Sequence, residues 1–306
     1  MLNKKVLTVL SPVFNEQDNI EPFIKELNLL KRDCENLGLS FQVVFMDNCS
    51  SDQTVSLIKK ISQKLDHVFI LSLSRNFGYQ KSLLSGLTEI ESDFYLIMDC
   101  DGEEPIEIGQ KFLEVMHSGN FSIVYGERNS RPEPNYIAAM RWLFYRGLSK
   151  LADGPSNIEM AEFSLFKKEI RDVIVSTKTT FPFLRNEIAY AGFPSKAIPY
   201  RRNKRRLGQS KYNFFGMFTF AIAGLLTATT FPLRLVAYSY LFLAPISLGL
   251  FFLGYPLLGL QLAILQLGFA GSIISIYLSR VYHNGITRPP FIINRPNSIL
   301  PKKTEN

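Results

Sequence analysis

Two carboxylates one residue apart, Asp99 and Asp101, follow an apolar run that ends at Met98, and Gly102 comes next. At the end of a strand, such a pair offers hard oxygen donors to one divalent cation, while the glycine lets the backbone turn tightly behind them. By spacing alone the triplet also suits an ordinary loop or helix cap. Glu103 and Glu104 follow, and either adds a contact to a cation or caps the helix that opens near Ile106. Three more polar clusters stand after apolar runs: Pro12, Asn15 and Glu16; Asp47, Asn48, Ser50 and Asp52; Arg75 and Asn76. Asn15 before Asp18, and Asp52 before Thr54, also fit plain helix starts. Farther along, Arg201, Arg202, Lys204, Arg205, Arg206 and Lys211 form a basic run. Arginine forks and a lysine point charge match phosphate oxygens.

The elements that must position these groups are legible as an alternation. Short β-branched or apolar runs at 6–13, 41–46, 67–73, 94–98 and 121–125 alternate with segments of helical period that begin near Asp18, Asp52, Gln80 and Ile106. That order specifies an α/β domain with a mostly parallel sheet covered by helices. In such sheets ligands bind beyond the carboxyl ends of the strands, which is where the polar clusters fall. Lys4 and Lys5 ahead of the first apolar run superficially resemble a signal peptide. Asn15, Glu16 and Asp18 arrive before any small-residue cleavage site, so the run reads as a first strand.

From residue 235 to 279 the chain carries no Asp, Glu, Lys, Arg or His, with Arg234 and Arg280 just outside. Roughly 45 residues is about twice the length that crosses a hydrocarbon core of about 30 Å. Gly254, Tyr255 and Pro256 break the run near its middle, giving spans of about 235–253 and 257–278. The basic run and Arg234 precede this hairpin, Arg280, Arg288 and Arg295 follow it, and the turn has no charge. The positive-inside rule then predicts that the soluble domain and both termini are cytoplasmic. The formal charge of +7 is concentrated ahead of the first span, where anionic headgroups and phosphates rather than nucleic acid are the expected partners. Cys34, Cys49 and Cys100 form no CxxC pair, and the three histidines are too scattered for a zinc site, so the thiols are expected to be reduced. The expected organisation is a soluble domain at 1–211, an amphipathic juxtamembrane segment at 212–232, two spans within 233–280 and a cytoplasmic tail at 281–306. Association of the spans into a homo-oligomer is left open.

Several of these segments, taken in order, resemble the family 2 glycosyltransferases of GT-A (Rossmann-like) fold. The likeness is to the polyprenyl-phosphate type that includes dolichol-phosphate mannose synthase and bactoprenol glucosyltransferase. Pro12-Val13-Phe14-Asn15-Glu16 is similar to the opening P-x-Y/F-N-E segment, and the stretch from Asp47 to Thr54 to the DDGSxDxT loop. Ser74-Arg75-Asn76-Phe77-Gly78 matches SRNFG, Asp99-Cys100-Asp101 matches DxD, and Gly126-Glu127-Arg128 with Arg131 matches G-x-R…R. The stretch from Arg202 to Tyr212 matches RxxRxxGxSKY. Three places depart from the pattern. Asn48 and Cys49 replace Asp and Gly of the nucleotide loop, Glu162 and Ser164 replace Asp and Arg of GDFRL, and Gly102-Glu103-Glu104 replaces the usual residues after DxD.

The resemblance implies a sugar transferred from a nucleotide-sugar donor to a polyprenyl phosphate in the lipid bilayer, with inversion and with Mg2+ or Mn2+. It implies that Asp99 and Asp101 hold the metal and that Pro12, Asn15, Glu16, Asp47, Asp52, Arg128 and Arg131 border the donor. Arg202, Arg205 and Lys211 would receive the acceptor phosphate, and Glu162 would be an acceptor-side base, an orienting group or structural. The substitutions at Asn48, Glu162 and Ser164 motivate one alternative, an inactive relative serving as a membrane scaffold or sugar-nucleotide sensor.

Overall fold

A computed structural model describes residues 4–128, 160–177, 180–204, 226, 229–286 and 288–301. These fall into two compact units, one carrying the sheet and the C-terminal segment from Pro289, the other the two long apolar helices.

In the first unit, seven strands among the described residues form one sheet in the order β3-β2-β1-β4-β6-β5-β7. They are β1 (Val6–Val13), β2 (Ser40–Asp47), β3 (Val68–Ser72), β4 (Phe94–Ile97), β5 (Ile123–Arg128), β6 (Met160–Lys167) and β7 (Ser195–Tyr200). All neighbours pair in parallel except β6, which runs antiparallel between β4 and β5. The helices of this unit are α1 (Gln17–Asn36), α2 (Thr54–Ser62), α3 (Tyr79–Glu89), α4 (Ile106–Ser118), α5 (Lys168–Ser176) and α6 (Leu184–Tyr190). Both faces of the central strands are buried because alternate side chains enter different cores. Leu7, Val9, Val43 and Phe45 pack with Phe23 and Leu27 of α1 and Phe112 of α4. Leu10, Val44 and Met46 pack on the other face with Leu83 and Leu87 of α3 and Ile170 of α5. Helix α3 packs close to the sheet at Gly86, where an added Cβ would lie 2.9 Å from the Met46 sulfur. That close approach fixes the helix whose first turn enters the site.

The C-terminal segment of this unit straps the free edge of β3. The Ile299 N–H donates to the Ile70 carbonyl at 2.7 Å and the Ile70 N–H returns the bond at 2.9 Å; the Asn294 N–H donates to the Ser72 carbonyl and the Ser74 N–H to the Ile292 carbonyl. The strap closes an edge that would otherwise present unpaired backbone groups.

The second unit contains α7 (Phe231–Phe252) and α8 (Pro256–Gly285), joined by a turn at Gly254 with φ of 89°. At 1.5 Å per residue they are about 33 Å and about 45 Å long, enough to cross a hydrocarbon core of about 30 Å. Both are apolar and largely exposed, unlike core helices of a soluble protein. They approach closely at Gly259, whose carbonyl accepts the Ser247 hydroxyl at 2.6 Å and where an added Cβ would sit 2.5 Å from the Ser247 carbonyl oxygen.

Candidate active site

The loops at the carboxyl ends of β1 to β4 form one continuous hydrogen-bonded surface. Asn15, which follows β1, takes a left-handed backbone with φ of 54°. Its N–H donates to the Ser50 hydroxyl, and its side-chain oxygen accepts the Ser51 N–H at 2.8 Å. Asn15 therefore ties two loops together instead of capping α1, whose start has no side-chain cap. The Glu16 N–H donates to the Thr54 hydroxyl, while Asp52 accepts the N–H groups of Thr54 and Gln17. Burial works against the charge of Asp52, but these bonds outweigh it and hold its pKa below the ordinary carboxylate value. Asp52 thus accepts the N–H of the first residue of α2, but the N-cap position is Gln53 and the helix begins without a side-chain cap. Asp47 is buried at the end of β2, and burial raises its pKa although the hydroxyl and N–H of Ser50 oppose this. Pro12 lies beside Met46 in the β1–β2 register, one residue before Asp47 on the neighbouring strand.

The two replacements in the nucleotide loop have separate physical consequences. Cys49 takes φ of 66°, the left-handed region that glycine enters freely, so the loop keeps a glycine-like bend at the expense of backbone strain. Asn48 is buried and uses both ends of its amide. Its NH2 donates to the Asn76 side-chain oxygen at 2.9 Å, and its oxygen accepts the Phe77 N–H at 2.8 Å. The Asn76 oxygen also accepts the Gly78 N–H. Asn48 and Asn76 thereby join the loop after β2 to the loop after β3. Arg75 stacks on the Phe77 ring, 3.9 Å from its centroid.

The acidic loop after β4 is the electrostatic centre. Asp99 accepts the Tyr79 hydroxyl at 2.9 Å, and its own N–H donates to Glu104 at 3.1 Å. Asp101 accepts the Glu103 N–H at 3.0 Å across a turn made by Gly102, whose φ is 76°. Neither glutamate caps α4, which begins without a side-chain cap; the capping expectation is corrected. Glu104 turns inward and is buried, and Glu103 pairs with Arg202 just beyond β7. Burial first, and Asp101 second, push the Asp99 carboxyl up to about 7; burial followed by Asp99 raises Glu104 well above its ordinary value. Arg202 and Arg128 oppose these shifts without cancelling them. Arg128 lies at the end of β5 with its Nε donating to the Tyr200 hydroxyl at 3.4 Å.

Glu162 projects from β6. One of its oxygens accepts the Gln80 amide at 2.9 Å and faces Arg185 at 3.8 Å; the other is buried without a hydrogen-bond partner among the described residues. Burial raises its pKa against the opposing pull of Arg185, Gln80 and Arg128. The structure thus gathers Asn15, Glu16, Asp47 and Asp52 into one set of loops, and links Asp99, Asp101, Arg128 and Arg202 through the acidic loop. Arg131, Arg205 and Lys211 lie outside the described residues. The sequence reading missed Tyr79 and Gln80, consecutive residues in the first turn of α3 that grip two carboxylates, Asp99 in the loop after β4 and Glu162 on β6. Their placement right after the Ser74–Gly78 segment was the available signal.

A hard divalent cation fits the donor set of this loop, because oxygen ligands carrying more negative charge than their arginine neighbours offset are what such an ion neutralises. Among the described residues no group of three or more His, Cys, Asp or Glu is arranged to enclose an ion. An ion bound at Asp99 and Asp101 would therefore complete its shell with substrate and water oxygens.

Residues 8–176, more than half of the chain, match glycosyl transferase family 2. A bactoprenol glucosyl transferase of Shigella phage SfX is 27% identical over 305 residues, covering 94% of this chain and 98% of that protein. The putative glycosyltransferase CsbB of Bacillus subtilis is 23% identical over 328 residues, covering 99% and 97%. Among solved structures, mannosyl-3-phosphoglycerate synthase from Rubrobacter xylanophilus is similar in fold, with a TM-score of 0.50 at 16% identity over 74% of each chain. The sheet, its one antiparallel strand and the acidic strand-end loop define a glycosyltransferase domain of GT-A type. The chain belongs to glycosyl transferase family 2, and it is an enzyme of that class.

Proposed function

We propose that this enzyme moves one sugar from a nucleotide-sugar donor to a polyprenyl phosphate at the cytoplasmic leaflet, inverting the anomeric centre. The observation that carries the reading is the convergence of the donor-side loops on the acidic Asp99–Asp101 turn in a chain that also holds two membrane-length helices. The 94% coverage by a relative named for a bactoprenol acceptor supports the lipid. Asp99 and Asp101 would hold Mg2+ or Mn2+, which when bound neutralises charge on the departing diphosphate. Asn15, Glu16, Asp47 and Asp52, with Pro12, would shape the nucleoside pocket, and Arg128 and Arg131 would bind the donor.

Arg202, Arg205 and Lys211 receive the acceptor phosphate. A phosphate monoester has a second pKa near 6, so the nucleophile is already largely dianionic at neutral pH and needs no strong base. Positioning then dominates, and Glu162 acts as an orienting group. A single displacement by that phosphate inverts the configuration. Residues 1–211 form the cytoplasmic catalytic domain, 212–232 the juxtamembrane segment, 233–280 the membrane anchor and 281–306 a cytoplasmic tail.

The test is transfer of radiolabelled sugar from a panel of nucleotide sugars to undecaprenyl phosphate by the full chain in detergent. Reactions with Mg2+ or Mn2+ are compared with EDTA and with Asp101→Ala. A lipid-extractable product lost with EDTA and in the variant is expected. Folded protein that binds a donor without turning over any of them would instead make the chain a sensor or scaffold.

A further inference from the structure

We infer that Gln80 is the positioning residue that sets the orientation of Glu162, an inference that rests on Glu162 acting in the transfer step. The Gln80 NH2 donates to Glu162 at 2.9 Å, and its side-chain oxygen accepts the Leu184 N–H, also at 2.9 Å. A carboxylate only accepts and a backbone N–H only donates, so these two partners allow a single orientation of the amide. Gln80 stands in the first turn of α3, Glu162 on β6 and Leu184 at the start of α6. One side chain thus spans three elements, and α3 itself is seated on the sheet by the close approach at Gly86.

The second observation is the state of the glutamate. Gln80 and the more distant Arg185 share one of its oxygens, and the other is buried with no hydrogen-bond partner among the described residues. A buried acceptor left unpaired is costly and uncommon, and a donor supplied by a bound substrate removes the cost. Holding one oxygen on Gln80 keeps the other turned to that substrate. Tyr79, the preceding residue, holds Asp99 in the same way. The start of α3 therefore sets the spacing between the acidic loop and Glu162.

The decisive variant is Gln80→Glu. It keeps an oxygen for the Leu184 N–H but removes the donor to Glu162, so the anchor of α6 survives while the hold on the carboxylate is lost. Steady-state kinetics of the full chain in detergent would use undecaprenyl phosphate and the nucleotide sugar turned over by the parent enzyme. The expected result is a fall in kcat of about tenfold or more with the donor KM changed less than about twofold, because the loss acts on the transfer step. Glu162→Gln is expected to lower kcat at least as much. The double variant Gln80→Glu/Glu162→Gln should be no worse than Glu162→Gln alone, since Gln80 acts only through that carboxylate. If Glu162→Gln is impaired while Gln80→Glu matches the parent, or if the two losses multiply in the double variant, the positioning role is overturned and the role of Glu162 stands. If Glu162→Gln keeps full activity, or the parent turns over no donor, the reading beneath fails and the inference falls with it.

Discussion

At the scale of single residues, the site concentrates like charges that a protein alone does not neutralise. Asp99 carries the measurable consequence. Its carboxyl is pushed up to about 7 from an ordinary 3.8, first by burial and then by Asp101. A folded-state pKa above the unfolded one means that the folded chain holds the proton more tightly. Through this group, stability of the metal-free enzyme is highest below about pH 4 and declines until the pH passes about 7. A divalent cation competes with that proton, so its stabilising effect should grow as pH rises through the same value. Thermal unfolding with and without MnCl2 at pH 6 and pH 8 measures this. A Tm increase clearly larger at pH 8, and absent in Asp99→Asn, is expected. Equal increases at both pH values would mean that Asp99 is not where the ion binds.

At the scale of elements, the C-terminal strap makes its own prediction. Ile299→Pro removes the N–H that donates to the Ile70 carbonyl, and loss of one such buried-edge bond costs about 1 kcal/mol. Hydrogen exchange should then speed up at the amides of Ile70 and Ser74, both bonded to the strap, while Val43 in β2 stays protected by its bond to the His67 carbonyl. Unchanged exchange at Ile70 would show that the strap does not hold β3 in solution. The strap, β6 and β7 were also the elements that sequence patterning did not reveal. β1 to β5 and their helices stood out because each buried strand is a short apolar run followed by a helical period. β6 instead inserts antiparallel between β4 and β5, a non-local pairing that no neighbouring segment announces. β7 carries Pro199, which the pattern reads against a strand and which an edge strand of the sheet tolerates. The acidic pair and donor loops were legible because they are local in sequence. Tyr79 and Gln80 matter only because α3 brings them to carboxylates 20 and 82 positions away.

At the scale of the whole molecule, connectivity constrains how the anchor can lie. The sheet unit receives chain from both sides of the apolar hairpin: β7 with Arg202 precedes α7, and the strap that follows α8 is bonded into the edge of β3. A single folded unit cannot lie on both faces of a bilayer, so if α7 and α8 cross it they cross as a pair, with their connecting turn on the opposite face. The proposed orientation has the turn outside and the sheet unit inside, the arrangement that the positive-inside rule predicts from the uncharged turn and the arginines flanking the helices. Single cysteines placed at Tyr255 and at Asn306, in a chain with Cys34, Cys49 and Cys100 replaced, test this with a membrane-impermeant maleimide on intact cells. Labelling is expected at Tyr255→Cys, and at Asn306→Cys only after the membrane is opened. Labelling of both positions on intact cells would leave the sheet unit on the outer face, where cytoplasmic nucleotide sugars do not reach it, and would remove the donor side of the proposed reaction.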